Sequence, residues 1–178
     1  MTVPVNRRSI DLSDCAGEIV KALRKGVLLT TRAGDKVNSM VIGWGTLGVN
    51  WAKPVFVSYV RESRYTRQLL DQNPEFTVNV PVGDYDPKIW EICGSKSGRD
   101  MDKLREVGLT PVPGEKVSVP ALREFPLTLE CRVIYRQAQD LALLQGADRF
   151  YPPDADGKRD SHVTYYGEIV AAYVLEEA

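Results

Sequence analysis

Only five residues, Val49 to Lys53, separate Gly48 from Pro54, and this short interval restricts the topology severely. Before it, a strand ending in Val41 and Ile42 leads through Gly43-Trp44-Gly45 into a glycine-rich turn. After it, Val55 to Val60 is apolar on both faces, the pattern of a buried strand. Gly43, Gly45 and Gly48 match G-x-G-x-x-G, and Glu62 lies near the distance expected of an acidic ribose partner. That fingerprint requires its third glycine to open a helix inside a βαβ unit. A parallel crossover needs roughly a dozen residues or more, so the dinucleotide reading is excluded. Arg61, Ser63, Arg64, Tyr65 and Thr66 follow the buried strand, and Leu69-Leu70 continue at helical spacing. Cations and hydroxyls at a helix start form an anion site, because the unpaired N–H groups and the helix dipole point the same way. The plainer alternative is a solvated strand-to-helix turn with Ser63 as its cap.

The rest of the chain reads as short strands with helices between them. Ser13 is expected to cap a helix whose apolar face is Ala16, Ile19, Val20 and Leu23, stopped by Gly26. Val27 to Thr31 and Lys36 to Trp44 form a hairpin about Ala33-Gly34-Asp35. Residues 65–72 form a short helix, and Phe76, Val78 and Val80 alternate with polar residues as in a half-buried strand. Asp86-Pro87 opens another helix, Gly94 to Asp100 is a polar loop, and Met101 to Val107 is helical. Lys116 to Val119 is expected as a brief edge strand, Leu127 to Gln137 as a long one, and Leu141 to Leu144 as a paired strand. Phe150 to Asp160 is a loop, either a lid or an inert excursion, and Val163 to Leu175 is a closing strand. The absence of a βαβ rhythm implies a mainly β fold, an antiparallel barrel with short helical insertions.

With 178 residues and no repeat or linker, one domain over 1–178 is expected. A formal charge of −1 gives no electrostatic basis for binding nucleic acid or an anionic membrane. Cys15, Cys93 and Cys131 are odd in number and lack a C-x-x-C pair, which argues against a disulfide framework and structural zinc. No signal peptide opens the chain and no apolar run approaches ~18 residues, so a cytoplasmic location is expected. His162 is the only histidine, which leaves no multi-histidine metal site, and no G-x-S-x-G elbow accompanies it. Gly94-Ser95-Lys96-Ser97-Gly98 lacks the spacing of a phosphate-binding P-loop, because its lysine precedes the second glycine. Read alone, that loop either hydrogen-bonds a ligand edge or is a flexible surface turn, Trp44 either stacks on a ligand or is core packing beside a glycine bulge, and His162 is either functional or structural or solvent-facing.

Three segments in order carry a family resemblance: Asn38-Ser39-Met40 through Gly43-Trp44-Gly45 and Trp51-Ala52-Lys53-Pro54 to Arg61-Glu62-Ser63-Arg64-Tyr65-Thr66; Gly94 to Asp100 with Asp102-Lys103-Leu104; and His162 with Tyr165 to Ile169. Together they resemble the flavin reductase-like, FMN-binding split-barrel family, and its flavoredoxin branch most of all. The resemblance covers about residues 10–175 and implies a split Greek-key β-barrel. It implies that Arg61, Ser63, Arg64, Tyr65 and Thr66 hold the FMN phosphate. Asn38, Met40, Val41, Ile42, Trp44 and Gly45 would line the ring and ribityl chain, with Ser95, Lys96, Ser97, Gly98 and Lys103 approaching from the other side. His162 would stand where nicotinamide or another second substrate approaches. The same resemblance implies a homodimer with FMN at its interface and NAD(P)H or a redox partner protein as electron source. Residues 137–160 match the family only loosely.

Overall fold

The structure, a computed structural model, describes residues 5–177. Ten antiparallel strands and five helices occur along them: β1 (Val5–Ser9), α1 (Leu12–Leu23), β2 (Val27–Ala33), β3 (Lys36–Ile42), β4 (Gly45–Asn50), β5 (Lys53–Arg61), α2 (Tyr65–Gln72), β6 (Glu75–Val80), α3 (Pro87–Ser95), α4 (Lys103–Glu106), β7 (Pro111–Val112), β8 (Ala121–Leu122), β9 (Leu127–Ala138), α5 (Ala147–Phe150) and β10 (His162–Glu177). The main sheet runs β3-β2-β6-β9-β10-β5-β4, with β1 also pairing with β10.

That order forces the sheet to curl. β3 and β4 are its two outer strands, yet only Gly43 and Trp44 lie between them in the chain. Three peptide steps span at most about 11 Å, whereas six spacings of about 4.8 Å would put the edges of a flat sheet roughly 29 Å apart. The edges therefore approach without pairing, which is the split of a split Greek-key β-barrel with short helical insertions. Its interior holds Leu29, Phe56, Phe76, Leu129, Cys131 and Tyr165. Leu28, one residue from Leu29 and so on the opposite face of β2, joins Ile89, Cys93, Leu104 and Phe125 in a second cluster under α3 and α4. These two helices are thereby pinned against the outside of β2 and β3, next to the split.

Several local expectations are corrected. The first helix is capped by Asp11, whose carboxylate accepts from the Ser13 N–H at 2.8 Å, and not by Ser13. The segment Gly45–Asn50 is a strand, joined to β5 by a tight turn in which Trp51 and Ala52 have φ of 50° and 56°. Two-residue hairpins favour positive φ. These residues lack the usual glycine or asparagine, and Trp51 instead packs against Tyr135 and Tyr166. Lys116–Val119 does not form a strand. The N–H groups of Glu115, Lys116 and Val117 are taken by the buried Glu130 carboxylate, and that of Ser118 by Glu75. Leu141–Leu143 is a single 3-10 turn capped by Asp140 rather than a paired strand. Strand β6 is buried on both faces, because Thr77 donates to the Pro120 carbonyl and Asn79 accepts from the Leu122 N–H. Among the described residues no helix is long and apolar enough to cross a membrane.

Candidate functional site

Where the barrel splits, a cavity of about 350 Å³ opens between β3, the start of α2, the loop after α3 and the first residue of β10. That is near the lower end of the usual range for small-molecule sites. Asn38, Met40, Val41, Ile42 and Trp44 line it from β3 and the link beyond. Arg61, Ser63, Arg64, Tyr65 and Thr66 line it from the β5–α2 turn, and Ser95, Lys96, Ser97, Gly98 and Lys103 from the opposite side. His162 closes it. Gly45 is the exception: a Cβ there would sit 2.7 Å from Phe56 Cζ, so this residue faces the barrel interior, where only a glycine fits. Tyr59, Cys93 and Arg99 also line the cavity and were not expected there.

The polar groups are arranged asymmetrically. Asn38 is buried; its Nδ2 donates to Thr66 Oγ1 at 2.9 Å, while its Oδ1 has no partner. A buried acceptor left unpaired is costly, about 1–3 kcal/mol, and in native folds such groups are satisfied by something. Gly98 lies so close that a Cβ would meet Asn38 Oδ1 at 2.1 Å, so the loop backbone reaches the strand only because this position lacks a side chain. At α2 the N-cap is Arg64, which makes no side-chain cap bond, so no cap covers the first-turn N–H groups. Ser63, the expected cap, is instead tied to Asp160, with its N–H 3.0 Å and its Oγ 2.6 Å from the carboxylate. Arg99 donates to the Ser63 carbonyl at 3.2 Å and lies over the Tyr65 ring. Ser95 turns its hydroxyl back onto the Glu91 carbonyl.

Five cations line the cavity (Arg61, Arg64, Lys96, Arg99 and Lys103), with no aspartate or glutamate among the lining residues. Lys103 is buried, and its Nζ donates to the Cys93 carbonyl at 3.3 Å. Burial pulls its pKa down, Arg64 adds to that, and the Cys93 thiol opposes it. His162 pairs across the sheet with Arg61. Its pKa is pushed down to about 4, chiefly by burial and then by the Arg61 charge, with Asp160 opposing and Arg64 adding. The imidazole is therefore neutral at pH 7. Trp44 leans against it with ring centres 5.1 Å apart and is itself half exposed. The cavity thus brings together cations, an uncapped helix start and an aromatic pair.

The family model for the flavin reductase like domain matches residues 23–178. The chain belongs to this family. The flavoredoxin of Desulfovibrio vulgaris (Miyazaki F) superposes with a TM-score of 0.63 at 25% identity, covering 84% of this chain and 68% of that one. A flavoredoxin from Methanosarcina acetivorans superposes with a TM-score of 0.60 at 29% identity, covering 84% and 67%. These two support the flavoredoxin branch within the family. An uncharacterized protein of Archaeoglobus fulgidus is 32% identical over 100 residues, 56% of this chain and 55% of that one. The chain spans between a half and two thirds of the length of the archaeal relatives it matches.

Proposed function

We propose that the cavity binds FMN and that the protein is a flavin-dependent oxidoreductase, passing hydride or electrons between a nicotinamide cofactor or redox partner and the flavin. The observation that carries this reading is an uncapped helix start under Arg64 in a cavity lined by cations, with no carboxylate among its lining residues. The donor set fits the cofactor's chemistry. A phosphate suits the α2 N–H groups together with Arg64 and Arg99, since oxyanions take charge-assisted bonds from guanidinium groups. A flat aromatic face suits Trp44. When bound, FMN supplies hydride and electron chemistry that no side chain here provides.

The residues of the chain then bind, orient and exclude. Gly98 brings the loop backbone against β3 so that Asn38 is held on one side by Thr66 and closed over on the other. Lys103 sets a buried amine at the cavity wall, whose charged form, disfavoured by burial, is favoured by negative charge lying against it. His162 is neutral at pH 7 and offers a hydrogen-bonding nitrogen, not a charge. Trp44 and Phe150 are each half exposed beside the opening, which supports a homodimer whose second subunit covers the flavin.

Purified protein is expected to be yellow, with the absorbance bands of oxidised flavin. A colourless protein that takes up no added FMN would instead favour a ligand-binding dimer without flavin. The likeness to two flavoredoxins supports a second reading, an electron-transfer protein with little NAD(P)H turnover. Stopped-flow reduction by NADH or NADPH separates the two, since rapid flavin bleaching by either nucleotide contradicts the second.

A further inference from the structure

The stretch between β9 and β10 reaches the cavity twice: Asp160 holds Ser63 and Arg61, and Tyr151 reaches His162 directly. Tyr151 is buried, and its hydroxyl lies 2.6 Å from His162 Nδ1 and 2.9 Å from Gln139 Oε1. Gln139 is fixed in turn, because its backbone N–H donates to the His162 carbonyl at 3.0 Å. A phenol has one proton to give, and a carboxamide oxygen can only accept. The Tyr151 proton therefore goes to Gln139, and its oxygen is left to accept from Nδ1–H of His162. Burial raises the Tyr151 pKa, so the phenol keeps that proton. The other ring nitrogen, Nε2, has no hydrogen-bond partner among the described residues, and His162 lines the cavity.

We infer that Tyr151 and Gln139 are positioning residues that lock His162 in the Nδ1–H tautomer, leaving Nε2 as a bare acceptor toward the cavity. The group that a second ligand places against it is then a hydrogen-bond donor, such as a carboxamide N–H or a hydroxyl. This second step rests on the flavin reading; the tautomer itself does not. The groups that face the imidazole are Arg61 from β5, Arg64 at the start of α2, Tyr151 and Asp160 from the β9–β10 connection, and Trp44 from the β3–β4 link. Two guanidinium groups against one carboxylate oppose a second proton on the ring, so the acceptor state persists at neutral pH.

Because His162 is the only histidine, ¹⁵N-histidine labelling reports this ring alone. In the protein as purified, at pH 7, the expected spectrum shows a protonated Nδ1 and an unprotonated Nε2; the reverse assignment overturns the lock. Gln139→Leu should let the phenol turn its proton onto Nδ1 and switch the major tautomer to Nε2–H, whereas Gln139→Glu, which still accepts, should leave it as it was. A tautomer unmoved by Gln139→Leu and by Tyr151→Phe overturns the positioning role. Gln139 is only partly buried, so its variants keep the test alive should Tyr151→Phe fail to fold. With FMN-saturated protein, nicotinamide should shift the Nε2 resonance. 3-Acetylpyridine, the same ring without an N–H donor, should leave it in place. Equal shifts from both overturn the donor requirement. A shift from neither overturns the placing of nicotinamide at this nitrogen and so counts against the NAD(P)H reading, with the lock still judged by its own spectrum.

Discussion

Arg61 and Arg64 stand three residues apart on the rim of one cavity and meet opposite surroundings. Arg61 donates to the Asp160 carbonyl at 2.8 Å and the Phe150 carbonyl at 3.2 Å, and its guanidinium lies over the Tyr151 ring. The Arg64 guanidinium has no hydrogen-bond or ion-pair partner among the described residues. The same residue type therefore serves two purposes: one cation fastens the β9–β10 connection to the barrel, the other is left for a ligand. The same division separates the two walls of the cavity. The wall made by β3, α2 and the loop after α3 presents unspent polar groups. The wall made by His162 and the segment behind it spends its polar groups on internal bonds, His162 Nε2 excepted.

The sharpest way to break this contrast is pH. The folded His162 pKa of about 4 lies below its ordinary 6.5, so the unfolded chain takes up this proton first as pH falls. Stability from the neutral imidazole is present above pH 6.5 and is lost progressively down to pH 4, by up to about 3 kcal/mol. His162→Asn removes that dependence. Denaturant titrations at pH 7 and pH 4.5 should show the gap between variant and parent closing or reversing at the lower pH. Parallel behaviour at both would mean that the two arginines and burial do not oppose protonation.

Next in size is the arginine pair itself. Arg64→Ala should weaken FMN binding by about 1–3 kcal/mol, as for a lost charge-assisted bond, and leave the denaturation midpoint nearly unchanged. Arg61→Ala should do the reverse. It strips a donor from two carbonyls and should lower stability by roughly 1–2 kcal/mol with a smaller effect on FMN. Equal effects of both on the flavin titration would erase the division of labour. Gly98→Ala tests the open wall without removing a charge. Its methyl would meet Asn38 Oδ1, so a cost of about 1–2 kcal/mol is expected in FMN affinity or stability. Gly48→Ala, with open space around its Cβ, should cost less than about 0.5 kcal/mol.

The two walls also differ in how far they could be read beforehand. Val55–Val60, the Arg61–Thr66 turn and the Asp86-Pro87 helix start are local patterns, whose strand period, cap and proline position act within a few residues. They placed elements around the open wall, but only the family resemblance put its residues on one site, and Gly45 departs from it because its side of the strand depends on Phe56 across the sheet. The saturated wall is made by distant partners. Nothing around Tyr151 marks it as a neighbour of His162, and nothing around Ser63 marks Asp160 as its acceptor. Likewise Trp51-Ala52 carries no glycine or asparagine to signal a hairpin, because the turn is held by rings contributed from β9 and β10. Lys116–Val119 has strand composition, but the carboxylates of Glu130 and Glu75 claim its N–H groups.

The smallest effect is the most discriminating for Ser63, which lines the cavity while bonding to the loop. Its hydroxyl and N–H both address the Asp160 carboxylate at an exposed position, where water competes for each group. Ser63→Ala keeps the N–H bond and loses only the hydroxyl, so stability should fall by about 0.5–1 kcal/mol with FMN affinity unchanged. Asp160→Asn, which still accepts but carries no charge, should fall between parent and Ser63→Ala in the same denaturant titration. A more than tenfold loss of FMN affinity in Ser63→Ala at unchanged stability would give the opposite answer. The hydroxyl would then turn from Asp160 to the ligand on binding, and Ser63 would belong with Arg64 on the open wall.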